Sequence, residues 1–302
     1  MLGDLRCLTV PSNRQLSNAG DEPSANDVHM NATPMPKGFS SPRSPLGQAA
    51  INPAPPWHYS GDVLGVDFWT DPDATSALLP EGLSPDPLSN GHARVMFHDC
   101  QFTAQGDEHL DPARYQFREV RVLIDAVWGQ IPVMFCPFSF VDNDAALARG
   151  WMQGLPMKMG QIFQTRSFAV PGPASSPIRR DSRFSASAAA HGCRLVDLGL
   201  TLTQRAEDAD SLLERPVALS RYVPQLVAGQ QERPTQHELT MLLADDVQVV
   251  DLWLGDALLS MPPVAGEELH ALDPVRVAFG FRCGLSYTVS DLRVLQEFGD
   301  RP

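Results

Sequence analysis

Lysine is almost missing from this sequence. Of the 23 basic residues in its 302 positions, 21 are arginine, and the only lysines are Lys37 and Lys158. Arginine serves at most solvated positions but keeps its proton, so only lysine can act as a neutral amine nucleophile. Lys158 lies in the segment 154–160 (GLPMKMG), a turn shaped by glycine and proline among apolar residues. The scarcity makes Lys158 a candidate for chemistry, and an ordinary lysine is the competing interpretation.

Cysteines are few and scattered. The five of them form neither a CxxC pair nor a zinc-ligand spacing, so the sequence predicts no metal site. Four lie in apolar runs, which predicts reduced, buried thiols and favours a cytoplasmic location. The GxGxxG, Walker A, GxSxG and HExxH motifs are absent as well. Several common enzyme classes are therefore excluded, and no cofactor is predicted.

Long apolar runs are also missing. No stretch of about 18 apolar residues indicates a transmembrane helix, and residues 1–20 lack the continuous apolar core of a signal peptide. The formal net charge of −13 argues against a nucleic-acid partner, because phosphate contacts need basic stripes. The sequence therefore predicts a soluble, intracellular protein that binds neither nucleic acid nor membrane. A small anionic substrate remains compatible, since a local arginine or lysine dominates at short range.

The chain divides into a leader and one domain. Residues 1–54 are rich in proline, serine, asparagine and glycine, which predicts a disordered leader that the fold does not need. From residue 55 onwards, strand-like runs follow one another with only short helices between them. Long crossover helices are absent, so we predict a mainly antiparallel, barrel-like α+β domain over 55–302. The predicted strands are 62–69, 94–102, 117–128, 131–141, 193–203, 238–243, 247–254 and 275–289.

Three short helices are expected between and after these strands. Asp71-Pro72 has the form of an N-cap followed by proline at the first helical position. Asn143 can cap a second helix that leads into the Lys158 turn. A third helix is expected at 291–298.

One predicted strand has two distinct faces. In 117–128 the apolar residues Val120, Val122 and Ile124 share a face, whereas Glu119 and Arg121 share the other. This alternation predicts that Glu119 lies opposite the apolar packing surface of its strand.

Several segments taken together resemble the acetoacetate decarboxylase superfamily. Their order and spacing are much more specific than any one segment, and the similarity spans about 240 residues without the leader. The matching segments are Pro55-Pro56-Trp57-His58-Tyr59, Thr70-Asp71-Pro72-Asp73-Ala74, Leu79-Pro80-Glu81-Gly82-Leu83, Tyr115-Gln116-Phe117-Arg118-Glu119 and 148–160 (ARGWMQGLPMKMG).

The resemblance implies a lysine that forms a Schiff base with a ketone, in a Gly-x-Pro-Lys-Lys turn. The amine of such a lysine is freed by cationic, partly desolvated surroundings. In this chain Met157 stands at the first lysine position, where the family carries its nucleophile, and Lys158 stands at the second. An arginine of some decarboxylating members falls at about Gly61. These departures make ordinary acetoacetate decarboxylation doubtful.

The resemblance also implies a pocket. Glu119 matches the family carboxylate, and Arg149 and Gln153, four residues apart on a helix, match substrate-contacting positions. An arginine fork suits a substrate carboxylate. We therefore predict a homo-oligomeric lyase that acts on a small or medium keto acid, by decarboxylation, aldol-type chemistry, dehydration or cyclisation. Such chemistry would suit secondary metabolism.

Two alternatives stay open at this point. Lys158 either attacks the ketone or acts only as a cation that stabilises an enolate. Because adjacent residues in an extended turn point apart, a pocket-facing Met157 would direct Lys158 elsewhere. The second alternative is that the protein, having lost the nucleophile, only binds a small molecule on the same scaffold. His98, Cys100 and Cys136 are interpreted as structural residues.

Overall fold

The computed structural model describes residues 35–170, 172–208, 212 and 215–299. That part of the chain contains twelve strands, with three short α-helices between some of them. The strands are β1 (Trp57–Trp69), β2 (Ser84–Pro85), β3 (His92–Thr103), β4 (Gln116–Trp128), β5 (Ile131–Val141), β6 (Met157–Met159), β7 (Gln161–Gln164), β8 (Arg183–Ala190), β9 (Cys193–Arg205), β10 (Val217–Val223), β11 (Gln236–Ser260) and β12 (Arg276–Glu297). The helices are α1 (Pro72–Ala77), α2 (Pro112–Tyr115) and α3 (Asp144–Gln153).

Seven of the strands form a ring. Their order is β10-β5-β4-β3-β1-β12-β11, and β10 pairs with both β5 and β11, so the two ends of the series meet. The sheet then continues from β11 through β9 and β8 to β7. All pairs in the ring are antiparallel except β10 with β5. The predicted mainly antiparallel, barrel-like α+β class is confirmed.

Strand alternation places the two larger clusters of buried apolar residues on opposite faces of the strands. One core, which we call the outer core, joins one face of β1, β3 and β4 to β8 and β9. Its fully buried members include Val66, Phe68, Phe97, Val122, Ile124, Leu195 and Leu202. The opposite face of the same strands looks into the ring and carries a second cluster that includes Tyr59, Phe117, Leu123 and Met157. The prediction that β4 has two distinct faces, with Glu119 opposite the apolar one, is therefore confirmed.

The helix ends follow their capping residues. Asp71 accepts a hydrogen bond from the Asp73 amide before α1, and Asn143 accepts one from the Ala146 amide before α3. Gly154 ends α3 in the left-handed region at φ 99°. Both predicted caps are thus confirmed. Among the described residues, no helix has the length and apolar character needed to cross a membrane.

The predicted helix at 291–298 is wrong. Strand β12 runs on to Glu297, because its last third pairs with β11, with Leu292 opposite Leu242 and Val294 opposite Thr240. The predicted strands 238–243 and 247–254 are parts of one strand, β11, whose register shifts between Asp245 and Gln248. At 291–298 backbone pairing with a distant strand outweighs the local helix preference, and at 244–246 pairing with β12 carries the strand across the predicted break.

The domain begins earlier than predicted. Its compact unit starts at Pro36, rather than at residue 55. Asn52 is fully buried, its amide N–H donates to Ser40 Oγ over 2.9 Å, and its Oδ1 accepts from Arg149 over 2.9 Å. The end of the predicted leader is therefore part of the packed domain, because it supplies a partner to a buried charge. Residues 1–34 of the predicted leader lie outside the described residues.

Truncation at two positions tests this boundary. Removal of residues 1–34 is expected to leave the melting temperature unchanged. Removal of 1–54 also deletes the Asn52 partner of Arg149, and an unpaired buried polar group costs about 1–3 kcal/mol. At roughly 2–4 °C per kcal/mol for a domain of this size, the melting temperature should fall by about 5 °C, measured by circular dichroism. Equal melting temperatures for the two truncated proteins would contradict the assignment.

Candidate functional site

Polar side chains form a row on the ring-facing side of β3 and β4. Antiparallel pairing sets His98 opposite Glu119 and Met96 opposite Arg121. Directly opposed residues point to the same side of a sheet, so these four side chains share the interior. On β5, Ser139 lies opposite Arg121 and continues the row across a third strand.

Glu119 is the most deeply buried member of this row. Only 1% of it is exposed. Arg121 donates to both of its carboxylate oxygens, through Nε to Oε1 and through Nη2 to Oε2, the latter over 3.0 Å. The Ser139 hydroxyl donates to Oε1 over 3.1 Å. These bonds use two of the three Arg121 nitrogens and leave Nη1 for a ligand.

This arrangement fixes the charge of Glu119. Burial alone would raise the pKa of its carboxyl group, but the charge and hydrogen bonds of Arg121, helped by Ser139, hold the pKa below its ordinary value. Glu119 is therefore a carboxylate at neutral pH. It is suited to holding Arg121 in place and not to donating a proton.

The short strand β6 decides which side chain of the 154–160 turn enters the ring. It pairs in parallel with β5, and the register sets Met157 opposite Ser139 and Lys158 opposite Phe140. Ser139 faces the interior, whereas Phe140 belongs to the outer core. The Met157 side chain is consequently buried in the interior cluster, at 5% exposure.

Met157 fits tightly against helix α3. A Cβ added at Gly150 would lie 2.8 Å from Met157 Cε and 2.9 Å from its Cγ, so Met157 packs directly on Gly150 and would have to shift if position 150 carried a side chain. The Trp151 indole donates to the Met157 carbonyl over 2.8 Å and holds the β6 backbone to α3. The position of the family nucleophile is thus filled by an inert, closely packed side chain.

Lys158 lies outside the pocket. Its Nζ lies 2.6 Å from Glu267 Oε2, and its side chain is 47% exposed. The expectation that Lys158 acts in the pocket, as a nucleophile or as a cation, is corrected here. The physical reason is the alternation of β6, which turns Lys158 away once Met157 faces inward. Lys37, the other lysine, is also exposed.

Arg149 and Gln153 are buried on α3, close to the same interior. The Arg149 guanidinium donates to Tyr59 Oη and to Asn52 Oδ1, each over 2.9 Å, and stacks on Phe102 at 3.9 Å. Gln153 donates to the Arg149 carbonyl over 3.1 Å. Both contact the protein itself, so the structure gives Arg149 an electrostatic rather than a direct binding geometry.

The interior carries a net positive charge. Glu119 and Arg121 offset one another, whereas Arg149 has no carboxylate partner in the described part of the chain. Burial, with a further contribution from Arg121, lowers the pKa of His98 to about 4, so its imidazole is neutral at pH 7. One buried guanidinium is therefore uncompensated. Because buried charge is costly, this interior favours a singly charged anion.

A cavity of about 390 Å³ reaches this polar row from within the ring. Arg121, His98 and Tyr287 line its inner end, and we call the cavity the chamber. His98 is only 4% exposed, and its Nε2 has no hydrogen-bond partner in the structure. Burial raises the pKa of Tyr287, so its hydroxyl is protonated and can donate. The chamber thus offers three polar groups to a ligand.

Sequence reasoning placed only part of this site. It brought Glu119, Arg149, Gln153 and Met157 to the interior, but it did not assign Arg121 or Tyr287 and set His98 aside as structural. Arg121 shares the polar face of β4 with Glu119, which was a usable signal. His98 and Tyr287 enter through the pairing of β3 with β4 and of β1 with β12, which no local pattern shows.

The position of the family arginine is closed. Gly61 lies opposite Cys100 in the pairing of β1 with β3. A Cβ at Gly61 would come within 2.6 Å of Cys100 Sγ. No larger side chain fits there, so the chamber lacks both the lysine and the arginine of the decarboxylating pattern.

A second cavity, of about 640 Å³, lies beside α3. Trp57, Trp151, Gln153 and Arg221 are among its lining residues. Gln153 is the one predicted site residue that lines it, and none of them lines the smaller chamber. The guanidinium of the larger cavity, Arg221, is already paired with Glu238 over 2.5 Å. We place the candidate site in the smaller chamber because it reaches Arg121, His98 and Tyr287.

The chain belongs to the acetoacetate decarboxylase family, whose model matches residues 40–298. The ring of strands is thus that of an acetoacetate decarboxylase-like protein. No curated protein sequence matches the chain significantly.

Solved structures extend this comparison. The enduracididine biosynthesis enzyme MppR is 32% identical over 90% of this chain and 99% of its own, with a TM-score of 0.81. It has been solved with pyruvate and with the condensation product of pyruvate and imidazole 4-carboxaldehyde. An acetoacetate decarboxylase-like enzyme from Sphingomonas wittichii RW1 is 26% identical over 87% of this chain and all of its own, with a TM-score of 0.79. Acetoacetate decarboxylase from Legionella pneumophila shares the fold at 19% identity, 82% and 89% coverage and a TM-score of 0.66.

The buried imidazole of His98 predicts a specific loss of stability in acid. The unfolded chain has a histidine pKa near 6.5, and the folded protein holds it at about 4. The unfolded state therefore binds more protons between these values, and the stabilisation present above pH 6.5 is lost as the pH falls towards 4. The expected loss is on the order of 3 kcal/mol.

Urea unfolding at several pH values measures this loss. The variant His98→Gln should show a shallower fall in unfolding free energy between pH 6.5 and 4 than the unmodified protein. The control His270→Gln changes an exposed histidine and should keep the original slope. An unchanged slope in His98→Gln would show that His98 titrates normally.

Proposed function

We propose that this protein is an acetoacetate decarboxylase-like enzyme that acts on a keto acid without a Schiff base. The observation that carries the proposal is the orientation of β6, which turns Met157 inward and Lys158 outward. Met157 fills the interior position, and both lysines of the chain lie outside it. The interior nevertheless keeps an ordered guanidinium, a protonated tyrosine and an unpartnered imidazole around a chamber.

The charge of the interior supports a keto acid as the substrate. A single carboxylate would compensate the buried positive charge that Arg149 leaves unbalanced. Arg121 Nη1 and the Tyr287 hydroxyl supply donors for carboxylate and carbonyl oxygens. The pyruvate-bound structures of the related MppR support the same class of ligand.

The chemistry that these groups favour passes through an enolate. When a 3-keto acid loses CO₂, or a keto acid gives up a proton next to its carbonyl to the neutral imidazole of His98, the electron pair of the broken bond moves to the carbonyl oxygen. Arg121 and Tyr287 would stabilise that negative oxygen by hydrogen bonds in a water-poor site, as an oxyanion hole does. The enolate carbon then takes up a proton, or an electrophile in aldol-type chemistry. Decarboxylation of a 3-keto acid, aldol-type chemistry, dehydration of a 3-hydroxy ketone and cyclisation through the carbon next to the carbonyl can each pass through this intermediate.

Each interior residue then has a defined task. Arg121 and Tyr287 contact the substrate, and Glu119 and Ser139 hold the Arg121 guanidinium in its orientation. Arg149 supplies charge from behind Tyr59, which stacks on Tyr287 with ring centroids 4.8 Å apart. Gln153 fixes the end of α3 through its own backbone contact. The predicted homo-oligomer and cytoplasmic location stay predictions.

A binding protein without catalysis is the second candidate. The observation that favours it is the tight packing of Met157 where the family carries its nucleophile. Such a protein would bind keto acids through the same chamber but would leave them unchanged. Product formation, followed by NMR, separates the two candidates.

Paired variants test the proposed site. In Glu119→Gln/Arg121→Gln both charges are removed together, so that neither is left buried alone. We expect turnover to fall at least about 100-fold, the loss typical of a removed oxyanion donor. Lys158→Gln breaks only the half-exposed pair with Glu267, and its turnover should stay within about threefold of the unmodified protein.

Turnover and calorimetric affinity for keto acids are the measurements, and melting curves verify that both variants fold. A large loss in Lys158→Gln with little change in the double variant would contradict the proposal. A different pair of results is that the unmodified protein turns over no keto acid while the double variant loses affinity for it. That pair of results would favour the binding protein.

A further inference from the structure

The chamber has polar residues at both ends and apolar residues between them. Between the inner end and the mouth, its walls are apolar side chains from six strands of the ring. They are Met96, Leu123, Met134, Val217, Leu242 and Leu285. Burial of such walls contributes most to the binding free energy when the ligand covers them with apolar surface.

The mouth differs in charge from the inner end. Arg94 donates through all three of its nitrogens, to Asp67 and to the Leu212 carbonyl. Arg215 lies 2.6 Å from Asp86 and 3.4 Å from Asp125. These two guanidiniums therefore face three carboxylates. A second acid group would find no uncompensated cation at the mouth.

The two ends together give the ligand an orientation. The uncompensated charge of Arg149 behind the inner end favours a carboxylate there, whereas both guanidiniums at the mouth are already paired. The mouth is bounded by the register shift of β11, where Asp245 and Val247 are exposed on the rim. Bulged strands often border ligand sites in this way. A ligand with its acid head inside would extend along the apolar wall towards β11.

The size of the chamber points to more than pyruvate. At about 30 Å³ for each water-sized group, 390 Å³ corresponds to on the order of a dozen non-hydrogen atoms. The volume also falls within the range of about 300–1,000 Å³ usual for small-molecule sites. Pyruvate has six non-hydrogen atoms, so it would leave much of the apolar wall uncovered.

We propose that the substrate is a singly charged keto acid with an apolar tail of several carbons, its acid head at Arg121 and its tail along Met134, Leu242 and Leu285. This inference rests on the proposed function and adds the substrate class. Methionines at two wall positions can repack around tails of different shape, because their side chains are flexible.

A chain-length series tests the inference on the full-length protein. The probes are pyruvate, 2-oxobutanoate, 2-oxopentanoate and 2-oxohexanoate, with Kd measured by calorimetry. Each added methylene should tighten binding about threefold to fourfold. In Leu242→Gln the gain per methylene should largely disappear. Leu258→Gln, at a 79% exposed position of the same strand, is the matched control and should keep the full gain.

The possible failures can be told apart. Pyruvate that binds while longer acids bind no tighter would overturn the apolar-tail inference and leave the proposed function standing. Failure of every keto acid to bind would overturn both. The series on the unmodified protein decides the point even if Leu242→Gln does not fold.

Discussion

The chemistry proposed for the interior depends on the parallel pairing of β6 with β5. Three residues of β6 are fixed against Ser139, Phe140 and Val141, and in an extended strand neighbouring side chains must point to opposite faces. Only one of Met157 and Lys158 can therefore enter the ring. The fit of Met157 against Gly150 and the ion pair of Lys158 with Glu267 both favour the same choice. A change of register by one residue would exchange the two side chains and, with them, the chemistry.

The rest of the interior is consistent with that choice. A Schiff-base enzyme needs a neutral amine, which cationic neighbours promote by lowering its pKa. Here neither family cation lies in the chamber, and in the proposed chemistry Arg121 and Arg149 supply the positive charge for a bound anion or a developing enolate. Arg121 is held rigidly by Glu119 and Ser139, and such preorganisation is what makes a hydrogen-bond donor effective in a transition state. The proposed route therefore depends on electrostatic stabilisation in place of an amine.

Much of the fold could be read from the sequence because its signals are local. Asp71 and Asn143 mark the starts of helices. The alternation in β4 separates the side chains that face the outer core from those that face the ring interior. The family segments brought Glu119, Arg149 and Gln153 to one interior. The alternation argument also indicated that Lys158 would turn away if Met157 faced the pocket. What remained hidden were features set by partners far away in sequence. Tyr287 reaches the chamber through the pairing of β12 with β1, and residues 291–297 are strand because β11 lies beside them.

The most direct test of the central claim is reductive trapping. The protein is incubated with a keto acid and borohydride, and its intact mass is measured before and after. The account predicts no mass increase for the unmodified protein, because no amine lies in the chamber. Met157→Lys places an amine beside Ser139, near the cation of Arg121, and is predicted to gain one reduced adduct on that lysine. An adduct on Lys158 of the unmodified protein would contradict the account, since it would require β6 to present Lys158 to the interior.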